Sequence, residues 1–161
     1  SVPLLLHISH RVTVDIDLAK KGGLSNLEQA ELFTLAEGLG MPPESVNGAA
    51  SFFLERIDGW EDHLVPVIKG KTGRILVPDV SLFVRLKLRR LSESDLEDCQ
   101  AMIRHAEKKK EPLDTTAILR QLKAARAKKR DRRYRRRLAL VEDLVRKHGE
   151  PGQRVGSGPR Q

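Results

Sequence analysis

Arg11-Val-Thr-Val-Asp-Ile-Asp-Leu18 is the stretch on which the fold turns. Polar and apolar residues alternate through it without a break: Arg11, Thr13, Asp15 and Asp17 fall on one face, and Val12, Val14, Ile16 and Leu18 on the other. A period of two belongs to a strand with one face buried, so the segment predicts a half-buried β-strand whose polar face carries two carboxylates side by side. Lys20-Lys-Gly-Gly23 ends it. Ser25-Asn-Leu-Glu28 then has the form of a capping box, which predicts a helix running to about Gly38 and stopped by Gly40 and Pro42-Pro43. Leu27, Ala30, Phe33 and Ala36 supply its expected buried stripe, and a further helical turn is expected between Pro43 and Ala50.

Downstream, His63 to Ile68 and Arg74 to Val77 are short apolar segments separated by Gly70-Lys-Thr-Gly73, the pattern of a hairpin whose strands would pair with the first. Asp79 is placed to cap a helix to about Leu88. Ser94-Asp-Leu-Glu97 reads as a second capping box, opening a helix to about Lys108 with Leu96, Cys99 and Ile103 inward. From Asp114 there is no Gly or Pro until Gly149, while Ile118, Leu122 and Ala125, then Tyr134, Leu138, Val141 and Val145, recur at helical spacing. One long helix or a helical hairpin is expected there. Its middle, Arg126 to Arg137, carries nine cations in twelve residues and almost no apolar face, so it is not expected to pack in a core.

These elements predict an α+β fold: a small mixed sheet flanked by helices over residues 1–108, a basic helical extension over 109–149, and a disordered end over 150–161, which is rich in Gly, Pro, Gln and Arg. With 161 residues and 39% apolar composition, one domain with an appendage fits and two full domains do not. Charge divides along the same line. Residues 1–103 hold 11 Lys/Arg against 15 Asp/Glu, a net of −4, and residues 104–161 hold 19 against 7, a net of +12, which together give the overall +8. A basic extension on an acidic body points to a polyanion, nucleic acid first, as its partner. Cys99 is the only cysteine, which leaves no disulfide framework or thiolate cluster, and no apolar run is long enough to span a bilayer. A cytoplasmic protein without a membrane partner is expected.

Two carboxylates at i and i+2 on one strand face are close enough to share a hard cation, and Mg²⁺ is commonly held by one or two carboxylates together with substrate phosphates. Asp15 and Asp17 are therefore the candidate metal ligands, the alternative being a polar strand face in water. Nucleotidyl transfer uses such a pair, with one metal on the triphosphate and a second activating the attacking hydroxyl.

Arg11-Val-Thr-Val-Asp-Ile-Asp17, Val46-Asn47 with Ala50 and Phe53-Leu54, Val77-Pro-Asp79, Leu86-Lys87-Leu88 and Asp95-Leu-Glu-Asp98 follow one another in an order that resembles the bacterial nucleotidyltransferase-like proteins related to the AbiE-type toxin–antitoxin nucleotidyltransferases. The resemblance covers roughly residues 8–106. It implies a nucleotidyltransferase-like fold in which Asp15 and Asp17 are the catalytic, Mg²⁺-binding carboxylates and an NTP is the substrate. Lys87 would meet phosphate, with Arg11, Asn47, Asp95 and Asp98 in support. A cognate toxin or antitoxin is the implied protein partner. The chain departs from that pattern in two respects. Ser1 to His10 contains no glycine and thus no Gly-Ser or Gly-Gly phosphate-binding turn, as though the domain were truncated at its N-terminus. A third carboxylate is also not evident, although Asp58, Glu61 and Asp62 are near in order. The expected alternative to an enzyme is accordingly an inactive nucleotidyltransferase-fold module that binds nucleic acid or an acidic partner.

The basic segment predicts phosphate contact without sequence reading, through Arg126, Lys128, Lys129, Arg130, Arg132, Arg133, Arg135, Arg136 and Arg137. Tyr134 is the only aromatic among them, which gives little support for stacking on single strands. His7 and His10 lack a set of metal-ligating neighbours, Cys99 falls on an apolar helix face as a core thiol would, and Trp60 reads as a packing residue.

Overall fold

A computed structural model describes residues 16–20, 22–71 and 74–149. Arg11 to Asp15 of the decisive stretch, the glycine-free start and the expected disordered end at 150–161 lie outside the described residues. The architecture is α+β, with six α-helices and two small two-stranded sheets among those residues.

Strand β1, Ile16–Asp17, is followed by helix α1, Asn26–Gly38, and strand β2, Val46–Asn47, which lies parallel to β1 with Ile16 opposite Val46 and Asp17 opposite Asn47. Parallel neighbours need a crossover, and α1 supplies it. Gly22 and Gly23 turn the chain at φ 81° and 78°, a region open to glycine at no steric cost. The Ser25–Glu28 capping box forms as expected. The expected stripe on α1 does not: Ala36 is buried, whereas Leu27, Ala30 and Phe33 are exposed. A helix that closes a two-strand unit has little sheet to cover, so one small residue at the crossing makes the contact. The helical turn expected over 43–50 is instead a 3₁₀ turn, Pro43–Ser45, followed by β2 and by the short helix α2, Ala50–Leu54.

A second 3₁₀ turn, Trp60–His63, leads into β3, Leu64–Lys69, which pairs antiparallel with β4, Arg74–Pro78, as the hairpin pattern predicts. Among the described residues these strands pair with each other and not with β1, which pairs with β2 in a separate sheet. His63 is pinned at the base of the hairpin, with Nδ1 2.8 Å from Asp79 Oδ2 and the Asp79 amide donating to the His63 carbonyl at 2.8 Å.

The core is helical. Helix α3, Val80–Lys87, is capped by Asp79, whose side chain accepts from the Leu82 amide. Helix α4 spans Glu93–Lys109, α5 spans Thr115–Lys128 under an Asp114 cap, and α6 spans Arg132–Gly149. The capping box of α4 is Ser92 with Asp95, two residues earlier than Ser94 and Glu97: the Ser92 hydroxyl accepts from the Asp95 amide and the Asp95 carboxylate accepts from the Ser92 amide. Both serine-based patterns fit the sequence, and the helix starts where the N3 carboxylate also meets two cations. The basic stretch resolves as a helical hairpin broken at 129–131, where Asp131 accepts from the Tyr134 amide and opens α6.

One apolar cluster joins Val80, Phe83, Val84 and Leu88 of the α3 region, Leu96, Cys99, Met102, Ile103 and Ala106 of α4, Ile118 and Leu122 of α5, and Tyr134, Leu138, Val141 and Val145 of α6. The helices on both sides of residue 108 thus share a core. The basic stretch itself reaches into it, because Tyr134 is buried with its hydroxyl donating to the Leu88 carbonyl. A smaller cluster of Leu54, Ile57 and Leu82 ties α2 to α3.

Candidate functional site

Asp15 and Arg11 lie outside the described residues, so the carboxylate pair is described through Asp17. Asp17 is exposed at the end of β1 and faces Asn47 in register, an arrangement secured by the Leu18 amide donating to the Asn47 carbonyl at 2.8 Å. The Asn47 side chain accepts from the Ala49 amide at 2.9 Å and so orders the turn into α2. A Cβ at Gly48 would meet Leu24 Cδ1 at 2.5 Å, so a larger residue there needs the Leu24 side chain to move. The loop after β1 is fastened to α2 by the Lys20 amide on Ser51 Oγ at 3.0 Å and the Gly22 amide on Glu55 at 2.8 Å. Carboxylate and amide oxygens are the hard donors Mg²⁺ takes, so Asp17 and Asn47 fit such a cation in kind. Among the described residues no group of three or more His, Cys, Asp or Glu side chains is placed to hold a metal, and Asp58, Glu61 and Asp62 do not form one.

Lys87, Asp95 and Asp98 are brought together at the junction of α3 and α4. The Lys87 ammonium lies 3.0 Å from Asp95 Oδ1 and 3.5 Å from Asp98 Oδ2. Arg90, absent from the expected site, donates to Asp95 from Nε at 2.8 Å and Nη2 at 3.0 Å. Burial pushes the Asp95 carboxyl up, but the hydrogen bonds from Arg90, Lys87 and the Ser92 amide and hydroxyl outweigh it and hold the group well below the usual carboxylate range. Asp95 in turn raises the Arg90 guanidinium. One turn further, burial pushes the Cys99 thiol up to about 12, which leaves it a neutral core group. A phosphate approaching Lys87 therefore meets two carboxylates as well as one ammonium.

The nine cations of the basic stretch divide by task. Arg137 is mostly covered, donating to the Leu91 carbonyl and pairing with Glu93 at 2.8 Å, and it braces α6 against the α3–α4 turn. Lys129 donates to the Arg89 carbonyl, and Arg135 donates to the carbonyls of Lys129 and Arg126. Arg126 pairs with Glu142 at 2.7 Å. The side chains of Lys128, Arg130, Arg132, Arg133 and Arg136 are exposed and form no hydrogen bond or ion pair among the described residues. Arg120, Lys123 and Arg146, which lie outside the dense run, line a groove with Arg126 and Glu142 between α5 and α6. The signal for the first two was in the sequence: Arg120, Lys123 and Arg126 recur every third residue and so share a helix face.

No described helix is long and apolar enough to cross a membrane. Comparison with protein-family models, with curated proteins and with solved structures finds no match for this chain.

Proposed function

We propose that the protein is a nucleotidyltransferase-like protein of a bacterial toxin–antitoxin or defence system, acting in the cytoplasm to move a nucleoside monophosphate from an NTP to RNA or protein. The observation that supports this reading is the register of β1 on β2: Asp17 and Asn47, picked out by separate motifs thirty positions apart in the chain, are cross-strand partners. Asp15 and Asp17 would hold Mg²⁺, which would supply charge stabilisation at the triphosphate, while Asn47 orders the adjoining turn. Transfer of label from each α-³²P NTP with Mg²⁺ or Mn²⁺ tests it. Wild type is expected to label RNA or itself and Asp15→Ala/Asp17→Ala to lose at least a hundredfold of that labelling; equal labelling by both removes the assignment.

A second reading is a non-catalytic module that binds nucleic acid through α5 and α6. It is favoured by the occupied state of Lys87 between Asp95 and Asp98, set against five cations at the hairpin corner that have no partner among the described residues. On this reading Asp15→Ala/Asp17→Ala binds nucleic acid as wild type does.

A further inference from the structure

The groove between α5 and α6 has a volume of about 470 Å³ and is lined by Leu119, Arg120, Lys123, Arg126, Glu142 and Arg146. Four cations surround one carboxylate, a local balance of +4 − 1 = +3. Glu142 is gripped from both sides: Oε2 accepts from Arg126 Nη2 at 2.7 Å, and Oε1 from Arg146 Nη2 at 2.7 Å and Nε at 3.2 Å. Hydrogen bonds from Arg146 first, and then the charge of Arg126, hold its carboxyl below the ordinary range against a modest burial cost. Two guanidiniums converging on one oxyanion hold donors that an incoming phosphate oxygen can take over. Arg120 and Lys123 make no ion pair among the described residues and are left with charge to offer.

We propose that this groove is a docking site for the phosphate backbone of a nucleic-acid duplex, with Glu142 the resident carboxylate that an incoming phosphate displaces from Arg126 and Arg146. The proposal rests on the nucleic-acid-binding reading and deepens it by naming the site and the form of the ligand. The hairpin corner adjoins Arg126 at the end of the groove, because Arg135 donates to the Arg126 and Lys129 carbonyls and so draws the start of α6 against the end of α5. From Arg120 to Lys128 the cation series covers about 12 Å of helix, enough for more than one phosphate on a strand. A protein partner would be met by an apolar or aromatic centre. Here the apolar lining is Leu119 and the aliphatic stems of the cations, with no aromatic ring to anchor a protein. Single strands are bound on aromatic platforms. Tyr134, the one aromatic of the segment, is buried and its hydroxyl is engaged by Leu88. Backbone contact with a duplex, without base reading, is what remains.

The test is fluorescence anisotropy of the full chain with a labelled duplex of about 20 base pairs, a single strand of the same length and a poly-glutamate peptide, across a salt series. Arg120→Gln/Lys123→Gln removes two groove cations that no carboxylate among the described residues engages. It is expected to weaken duplex binding and to flatten the slope of log K against log salt by about 2, one unit for each phosphate that is no longer neutralised. Glu142→Gln, checked for folding by thermal unfolding, is expected to bind roughly 3- to 10-fold tighter, since it frees two guanidiniums and removes a like charge. A wild type that binds duplex with a steep salt slope, alongside an Arg120→Gln/Lys123→Gln protein with the same affinity and slope, overturns the groove and leaves nucleic-acid binding to Lys128 to Arg136. Absence of duplex binding by wild type at any salt overturns both. Tighter binding of the single strand or of poly-glutamate than of the duplex, or a folded Glu142→Gln that binds no tighter, overturns the proposal.

Discussion

Asp95 shows how one residue can be chosen by position and then used three times. As the N3 residue of α4 it closes the capping box with Ser92, as a buried carboxylate it takes the Arg90 fork, and as a counter-charge it fixes Lys87. Replacing it by alanine removes the cap and a hydrogen-bonded buried group together, while exposed Arg90 can hydrate. A destabilisation of about 2 to 3 kcal/mol follows from such terms. The pH dependence has a definite sign. The folded carboxyl is held below its unfolded value of roughly 3.9, so its contribution is complete above about pH 4 and declines as pH falls toward the folded value. Urea titrations of wild type and Asp95→Asn are expected to differ most at pH 6–7 and to converge below pH 4. A difference that stays constant to pH 3 would show that the ionised form of Asp95 is not what stabilises the junction. Nothing in the sequence distinguished Asp95 from Glu97, because capping-box spacing is satisfied twice in Ser92-Glu-Ser-Asp-Leu-Glu97. The tertiary pairing with Lys87 and Arg90 made the choice.

At the scale of elements, local signals were legible and lateral ones were not. Ser25 and Asp79 cap the helices they were expected to cap, and the inward positions Leu96, Cys99, Ile103, Ile118, Leu122, Leu138, Val141 and Val145 are buried. These depend on spacing within one segment. The pairing of β1 with Val46–Asn47 could not be read, because a two-residue strand has no period. Leu27 and Phe33 were misjudged because helical spacing says which residues share a face but not how much structure there is for that face to cover. Arg137 was misjudged in the opposite sense: within a run of cations nothing marks the one whose guanidinium turns inward to Leu91. That placement has a measurable consequence. Arg137→Gln is expected to cost about 1 to 2 kcal/mol of stability by removing the brace on the α3–α4 turn, and to leave the salt slope of duplex binding unchanged. Arg133→Gln, exposed and unpaired, is expected to do the reverse, with stability within about 0.5 kcal/mol of wild type and a slope shallower by about 1. Chemical denaturation and anisotropy on the two variants separate the roles, and a shallower slope in folded Arg137→Gln would return that residue to the binding surface.

For the molecule as a whole, the question is whether the basic helices are an appendage or part of the body, because charge and packing give different answers. The charge boundary near residue 104 suggests a body and a tail, yet the apolar cluster runs across it, with α6 lying against α4 and α5. Tyr134, Leu138, Val141 and Val145 are each at most 4% exposed. Full burial of side chains of this size is worth about 1.5 to 3 kcal/mol each, so removing α6 forfeits roughly 6 to 12 kcal/mol, against a total stability of about 5 to 15 kcal/mol for a domain. A chain ending at residue 128 is therefore expected to lose cooperative unfolding and to expose the faces of Cys99, Met102 and Ile103 that α6 helps to enclose. The Cys99 thiol reports this directly. In the full chain its buried, neutral state makes it slow toward a thiol reagent such as dithionitrobenzoate, and in the truncated chain it should react at the rate of an unfolded control. Slow thiol reaction together with a sharp transition in residues 1–128 would mean that the first three core helices stand alone and that the basic helix is a true tail. The opposite outcome makes the cations of α5 and α6 the outer surface of the same core whose inner surface holds the fold, so that binding a polyanion there would raise the stability of the whole.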